Sequence, residues 1–231
     1  MLLLALDTST PRVSVAVGCD GDVIGDVQLS GRQRHTERLA PAIEYLCTEL
    51  EVEMRQLSAI AVGIGPGLFT GLRVGVTTAK VMAQALRIPI VGIPSLDLVA
   101  YPLRHTRRLV VAVLDARREE VFHARYWTVP GGVQRASEYQ VGAPGDLVVE
   151  LEAEGAETLL AGDGALRYRH EFEQLERAEL AGTAFASPSA AALVELATAR
   201  MEREDFATPR DIHPLYLRKS DAEIKWHRQA S

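Results

Sequence analysis

Hydrophobic positions along the chain switch repeatedly between a period of two and a helical period. Leu2 to Leu6 is a continuous apolar run ending in Asp7-Thr8-Ser9-Thr10-Pro11, which predicts a buried strand and a polar turn. Val13 to Val17 alternates apolar with small residues. Asp20-Gly21 then supplies the left-handed angles of a tight hairpin, and Val23 to Leu29 returns as a third strand. From about His35 the spacing turns helical. Leu39, Ile43, Leu46 and Leu50 fall on one stripe, and Pro41 either starts the regular helix or bends its first turns. Ala59 to Ile64 predicts another strand, running into the glycine-rich GIGPGLFTGLR of Gly63–Arg73. Thr70 is placed to cap a helix that reaches about Leu86, and Ile88 to Ile93 follows as a strand ending at Pro94-Ser95.

The pattern then begins again. Leu109 to Leu114 is an apolar strand ending in Asp115, as the first ended in Asp7. Glu120 to Val129 and Val133 to Val141 read as strands joined by a Gly131-Gly132 turn. A helix over Pro144–Glu154 and a strand over Thr158–Ala161 lead into Gly162-Asp163-Gly164. Helical spacing returns at Arg167–Glu176 and Pro188–Asp205, the latter with Ser187 as N-cap and Pro188 at the first helical position. Two successive β-β-β-α-β-α units imply a duplicated α/β protein, with lobes over residues 1–105 and 106–205. Residues 206–231 read as a polar tail that packs back in part, its last ten residues a mobile end.

Composition narrows the function classes. The chain has 231 residues, 47% of them hydrophobic and 24% charged, enough for one large domain or two small lobes. Its 31 acidic against 25 basic residues give a net charge of −6, which argues against a lone nucleic-acid binder, since phosphate neutralisation drives such affinity. Cys19 and Cys47 form no CxxC pair, which fits a reducing cytoplasm and leaves no cysteine zinc site. No two of the six histidines are three or four residues apart, and neither HExxH nor GxSxG occurs. The N-terminus lacks a basic leader and no run nears the roughly 18 apolar residues of a membrane helix, so neither export nor a membrane is expected.

A twice-repeated hairpin with an acidic residue after its first strand is the plan of the actin-like ATPase (ASKHA) fold, whose lobes offer hairpin turns to nucleotide phosphates across a cleft. That approach needs turns of glycine or small residues. Asp7, Thr8 and Ser9 partly meet the need, and an ordinary Asx/Ser/Thr turn is the alternative. Gly65, Gly67 and Thr70, ahead of a helix N-terminus, read either as an anion nest or as a tight turn bringing helix and sheet together. The Gly-Lys-Ser/Thr of a P-loop is missing. The second turn, Asp115-Ala116-Arg117-Arg118-Glu119-Glu120, has no glycine and two carboxylates where a phosphate would rest. Asp115 and Arg117 are its candidate remnants of a cleft site. The helix after the glycine-rich segment places Gly71, Gly75, Ala79 and Ala83 on one ridge-free face. Leu72, Val74, Val76, Val81, Met82 and Leu86 make it apolar almost all round, so it needs either the Leu39–Leu50 helix or a second protein molecule as neighbour.

LALDTST at Leu4–Thr10, VSVAV at Val13–Val17, RHTERLAPAI at Arg34–Ile43, GIGPGLFTGLR at Gly63–Arg73 and LDAR at Leu114–Arg117 resemble the bacterial TsaB (YeaZ) family. The match extends weakly to PLYLRKS at Pro214–Ser220. The resemblance implies an actin-like fold without independent catalysis or a cofactor of its own. It implies a TsaD-like catalytic subunit and a TsaE-like ATPase as partners, with ATP and metal carried by them and tRNA met only through the complex. That assembly transfers a threonylcarbamoyl group to the adenosine beside the anticodon of tRNAs reading codons that begin with A. The two helices of the first lobe would contact TsaD, or pair with themselves in a homodimer. Here that maps onto Leu39, Ile43, Leu46, Gly71, Leu72, Gly75, Val76, Ala79 and Ala83. One departure is Leu68, where the family commonly has a small polar residue. The competing class is an active actin-like enzyme, either a small-molecule kinase or a metal-dependent glycoprotease-like hydrolase.

Overall fold

A computed structural model describes residues 1–31 and 35–218. Arg34 of the motif above, Lys219, Ser220 and the expected mobile end lie outside the described residues. The first half contains β1 (Leu2–Asp7), β2 (Val13–Cys19), β3 (Asp22–Leu29), α1 (His35–Glu49), β4 (Ala59–Gly63), α2 (Phe69–Leu86), β5 (Ile90–Ile93) and α3 (Ser95–Ala100). The second contains β6 (Leu109–Arg117), β7 (Glu120–Val129), β8 (Gly132–Arg135), β9 (Gln140–Gly142), α4 (Pro144–Glu154), β10 (Thr158–Ala161), α5 (Asp163–Arg167), α6 (Arg169–Phe172), β11 (Ala178–Leu180) and α7 (Ala190–Glu202). The first sheet runs β3-β2-β1-β4-β5 and the second β11-β10-β6-β7-β8, with β9 also paired to β7. Read from opposite edges these are the same order. In each, an antiparallel meander of three strands is extended by two parallel strands beside its first. The duplication is therefore one of topology, as the actin-like plan requires.

Each element forms for a local reason. Asp20 and Gly21 take φ values of 51° and 93°, the mirror-image turn that matches the twist of a two-residue hairpin. Helix α1 carries Pro41 in its second turn and buries Leu39, Ala42, Ile43, Leu46 and Cys47 on the sheet. Helix α2 ends where Arg87 turns left-handed and its N–H bonds back to the carbonyls of Ala83 and Gln84.

Several boundaries differ from the sequence reading. Leu68, not Thr70, precedes the first turn of α2, without a side-chain cap. Ser189, not Ser187, caps α7 by accepting from the Ala192 amide, so Pro188 lies ahead of the helix. The helix expected over Arg167–Glu176 is reduced to the short α6, with Arg167 instead closing α5 and Tyr168 between the two. The strand expected over Val133–Val141 is divided into β8 and β9.

The lobes are not packed only within themselves. Helices α1 and α2 cover one face of the first sheet, but its other face is covered by α7, whose Ala190, Leu193, Val194 and Ala197 meet Leu3, Ala5, Ala16 and Ala61. In return α3 packs Leu96, Val99 and Ala100 against Val110, Ala112, Leu114 and Tyr126 of the second sheet. Buried polar bonds fix this exchange. The Ala190 amide donates to Ser14 Oγ at 2.9 Å, and the Tyr126 and Tyr139 hydroxyls both donate to Asp97 Oδ1 at 2.8 Å. Among the described residues no helix is long and apolar enough to cross a membrane.

Candidate functional site

In the β1–β2 turn all four of Asp7, Thr8, Ser9 and Thr10 are buried. Asp7 Oδ1 accepts from the Ser9 amide at 2.9 Å and the Ser9 hydroxyl at 2.7 Å. Its Oδ2 accepts from Ser95 Oγ at 2.8 Å, and the Gly65 amide donates to that same Oγ at 3.1 Å. Burial pushes the Asp7 carboxyl above its ordinary range, opposed by the Ser9 and Ser95 hydrogen bonds. The carboxylate is thus enclosed by neighbours from β1, the loop after β4 and the start of α3.

The glycine-rich segment takes its form from close approach to this turn. A Cβ on Gly63 would lie 1.8 Å from Asp7 Oδ2. On Gly67 it would lie 2.4 Å from the Ser9 carbonyl, on Gly71 2.0 Å from the Thr8 carbonyl, and on Gly75 2.3 Å from Thr8 Oγ1. Four glycines spaced by four therefore make a track that receives the Asp7–Ser9 turn, Gly67 and Gly71 facing its backbone and Gly63 and Gly75 its side chains. Thr8 Oγ1 donates to the Gly71 carbonyl at 2.7 Å and the Leu68 amide donates to the Ser9 carbonyl at 2.7 Å. Of the two readings open in the sequence, the close-packing one describes these contacts.

A cleft of about 550 Å³ lies outside that track, lined by Gly67–Gly71, His35, the second turn at Ala116–Arg118, Phe122, and Leu215–Arg218 of the tail. It brings Gly67 and Thr70 opposite Arg117. Asp7, Thr8, Ser9, Gly65 and Asp115 are not on its wall. Asp115 accepts from the Arg117 amide at 2.9 Å and pairs with the Arg117 and Arg167 guanidinium groups at 3.1 and 3.6 Å. Arg117, Arg118 and Glu119 all take left-handed φ angles of 55–63°, a conformation costly for residues with a side chain. Nearby, burial raises the Asp163 carboxyl to about 6, although its Oδ1 accepts the Asp115 amide at 2.9 Å. Among the described residues no three His, Cys, Asp or Glu side chains gather as a metal-ligand set.

The nine residues expected to form a partner surface are placed otherwise. Leu39, Ile43, Leu46, Gly71, Leu72, Gly75, Val76, Ala79 and Ala83 are all buried within the first lobe. The small-residue face of α2 is turned to β1 and β4, because only small side chains permit the backbone approach described above. The outer flank of the same helices instead exposes Tyr45 and Val81, at 56% and 60%. A shallow groove also opens between α1 and α2, lined by Ala40, Ile43, Cys47, Met54, Thr78 and Met82 among others. Sequence spacing could have found this flank, since Val81 lies on the side of the helix opposite Ala79 and Ala83.

Comparison with known proteins agrees with this architecture. A model of the family described as "TsaD: tRNA N6-adenosine threonylcarbamoyltransferase" matches residues 23–226. The tRNA threonylcarbamoyladenosine biosynthesis protein TsaB of Bacillus subtilis is 32% identical over 233 residues, 98% of each chain. TsaB of Haemophilus influenzae is 30% identical, with 98% of this chain and 96% of the relative aligned. The structure of YeaZ from Pseudomonas aeruginosa superposes with a TM-score of 0.81 at 32% identity, covering 94% of this chain and 99% of its own. With full-length likeness in both sequence and fold, the chain belongs to the TsaB (YeaZ) family.

Proposed function

We propose that this chain is a non-catalytic partner subunit of the assembly that places a threonylcarbamoyl group on the adenosine beside the anticodon of tRNAs reading codons that begin with A. The observation that carries the reading is the enclosure of Asp7. Both of its oxygens are engaged by Ser9 and Ser95, so the first turn offers a cleft ligand neither a free carboxylate nor a glycine-lined nest. The second turn supports the same reading, since Arg117 is paired with Asp115 and Glu119 and Glu120 follow directly. Turnover, ATP and metal would then belong to a TsaD-like subunit and a TsaE-like ATPase, with tRNA engaged only in their company.

The partner surface in this reading is the exposed flank of α1 and α2 around Tyr45, Val81 and the groove between them. Its apolar lining, ringed by Glu44, Glu51 and Glu53, suits a related helix pair from a TsaD-like subunit, or a second copy of this chain when alone. The test is reconstitution of tRNA threonylcarbamoylation from purified TsaD-like and TsaE-like proteins, with wild-type chain, with Val81→Arg, and with none. Modification that needs the wild-type chain and fails with folded Val81→Arg supports the proposal. Modification that proceeds equally without the chain, or ATP turnover by the chain alone, overturns it.

A further inference from the structure

The chain leaves α7 on the first sheet and then runs as a segment without helix, residues 206–218, that turns once at Thr208–Asp211 and touches both lobes in turn. We propose that this segment is a strap governing the opening of the interlobe cleft, with the Arg218–Glu120 ion pair as its catch.

The two ends of the strap are held very differently. On the first lobe the attachment combines main-chain bonds with one buried side chain. Ala207 and Ile90 exchange backbone hydrogen bonds at 2.9 and 3.2 Å along the free edge of β5. Ile212 is 8% exposed in the core of that lobe, and its carbonyl accepts from Lys80 Nζ at 2.8 Å. The Leu215 amide donates to the Ile64 carbonyl at 2.7 Å, beside the glycine-rich segment. Within three further residues the strap has crossed the cleft. Tyr216 stands 5.2 Å from the Phe69 ring at the start of α2, Leu217 packs on the apolar cluster of the second sheet, and Arg218 Nη1 reaches Glu120 Oε2 at 2.6 Å.

Among the described residues, the strap meets the second lobe through the partly buried Leu217 and through an ion pair whose side chains are 25% and 38% exposed. Pairs of that exposure are weak and screened by salt, whereas the main-chain bridge at Ile90 and the buried Ile212 are not. The strap therefore releases from the second lobe first and stays seated on the first. The catch is also attached to the strained part of that lobe, because Glu120 directly follows the three left-handed residues Arg117–Glu119. Release would uncover the cleft wall made by Gly67–Gly71 and Ala116–Arg118, which the strap residues Leu215–Arg218 now complete.

Hydrogen–deuterium exchange on the full-length protein tests this. Arg218→Glu is expected to speed exchange in residues 66–72 and 116–122 about three- to ten-fold, the range a weak ion pair and its neighbouring contact supply. Residues 2–7 and 59–63 should be unchanged. The reversed pair, Arg218→Glu with Glu120→Arg, should return to the wild-type pattern, and wild type in 0.5 M salt should approach the single variant. Unchanged exchange at the cleft in Arg218→Glu, or no restoration by the reversed pair, overturns the proposal. So does a uniform rise across both sheets, because the contact would then belong to global stability rather than to a local opening.

Discussion

Ser95 Oγ donates to Asp7 Oδ2 at 2.8 Å, joining the first residue of α3 to the last residue of β1 across 88 positions of sequence. The same oxygen accepts the Gly65 amide, so one hydroxyl satisfies a buried carboxylate and a buried loop donor together. Replacing Ser95 by Ala removes the partner of Asp7 Oδ2 and of the Gly65 amide. The expected loss is about 1–3 kcal/mol, read by urea unfolding at pH 7. Ser95→Thr retains the hydroxyl and should recover part of it.

The glycine track makes a prediction against helix propensity. Alanine is favoured over glycine in a helix interior by about 1 kcal/mol, yet a Cβ on Gly71 would lie 2.0 Å from the Thr8 carbonyl. Gly71→Ala is expected to destabilise the protein by about 1–3 kcal/mol through forced separation of α2 from the β1 turn. Gly145 in α4 has nothing within 4 Å of its Cβ position, and Gly145→Ala should be neutral or mildly stabilising. Paired denaturant curves check both.

The two faces of α2 should behave oppositely. Ala79 is fully buried against the sheet and Val81 is 60% exposed. Ala79→Arg places a charge in the core and is expected to abolish folding of the first lobe, seen as lost helical circular dichroism. Val81→Arg should retain the wild-type spectrum, with an unfolding free energy within about 0.5 kcal/mol of wild type. Sedimentation of the folded variant then reports whether that flank mediates self-association.

Two buried groups in the second lobe give opposite acid responses. Asp163, pushed up to about 6 by burial, binds its proton more tightly in the folded state, so its contribution to stability falls as pH rises from 4 to 6 and stays low above. His123, pushed down from 6.5 to about 4 by burial, is protonated first in the unfolded chain, so its contribution falls as pH drops through the same window. The two slopes largely cancel in the wild type. Asp163→Asn should unmask the histidine, giving higher stability at pH 7.5 and a steeper loss on acidification, each of about 2–3 kcal/mol. His123→Leu should give the reverse slope. Unfolding curves at pH 4.5, 6 and 7.5 measure both.

Much of this architecture is legible in the residues because local chemistry dictates it. Asp20-Gly21 and the alternation around it specify a hairpin whatever surrounds them, and the return of an acidic residue at Asp115 marks the second unit. The partners of α3 and α7 were not legible. An apolar stripe says that a helix must be covered, not which sheet covers it, and both helices cross to the other lobe. The inward placement of the nine residues read as a partner surface, of which Ile43 also lines the outer groove, was hidden for a related reason. A helix apolar on nearly every side does not state which side turns inward, and the decisive fact is that the Asp7–Ser9 turn occupies the glycine track. Enclosure of Asp7 was likewise invisible, because Ser95 is far away in sequence and ordinary in composition.

The placement of α7 carries a consequence for how this protein is made. Strands β1 to β5 are synthesised by residue 93, but the helix that shields one face of their sheet does not emerge until residues 190–202. Throughout the intervening hundred or so residues the nascent chain carries an uncovered apolar face made of Leu3, Ala5, Ala16, Ala61 and Val91. A fragment ending near residue 105 keeps that face bare permanently, so it should aggregate rather than behave as a domain. Added in trans, a peptide spanning residues 188–204 should solubilise it.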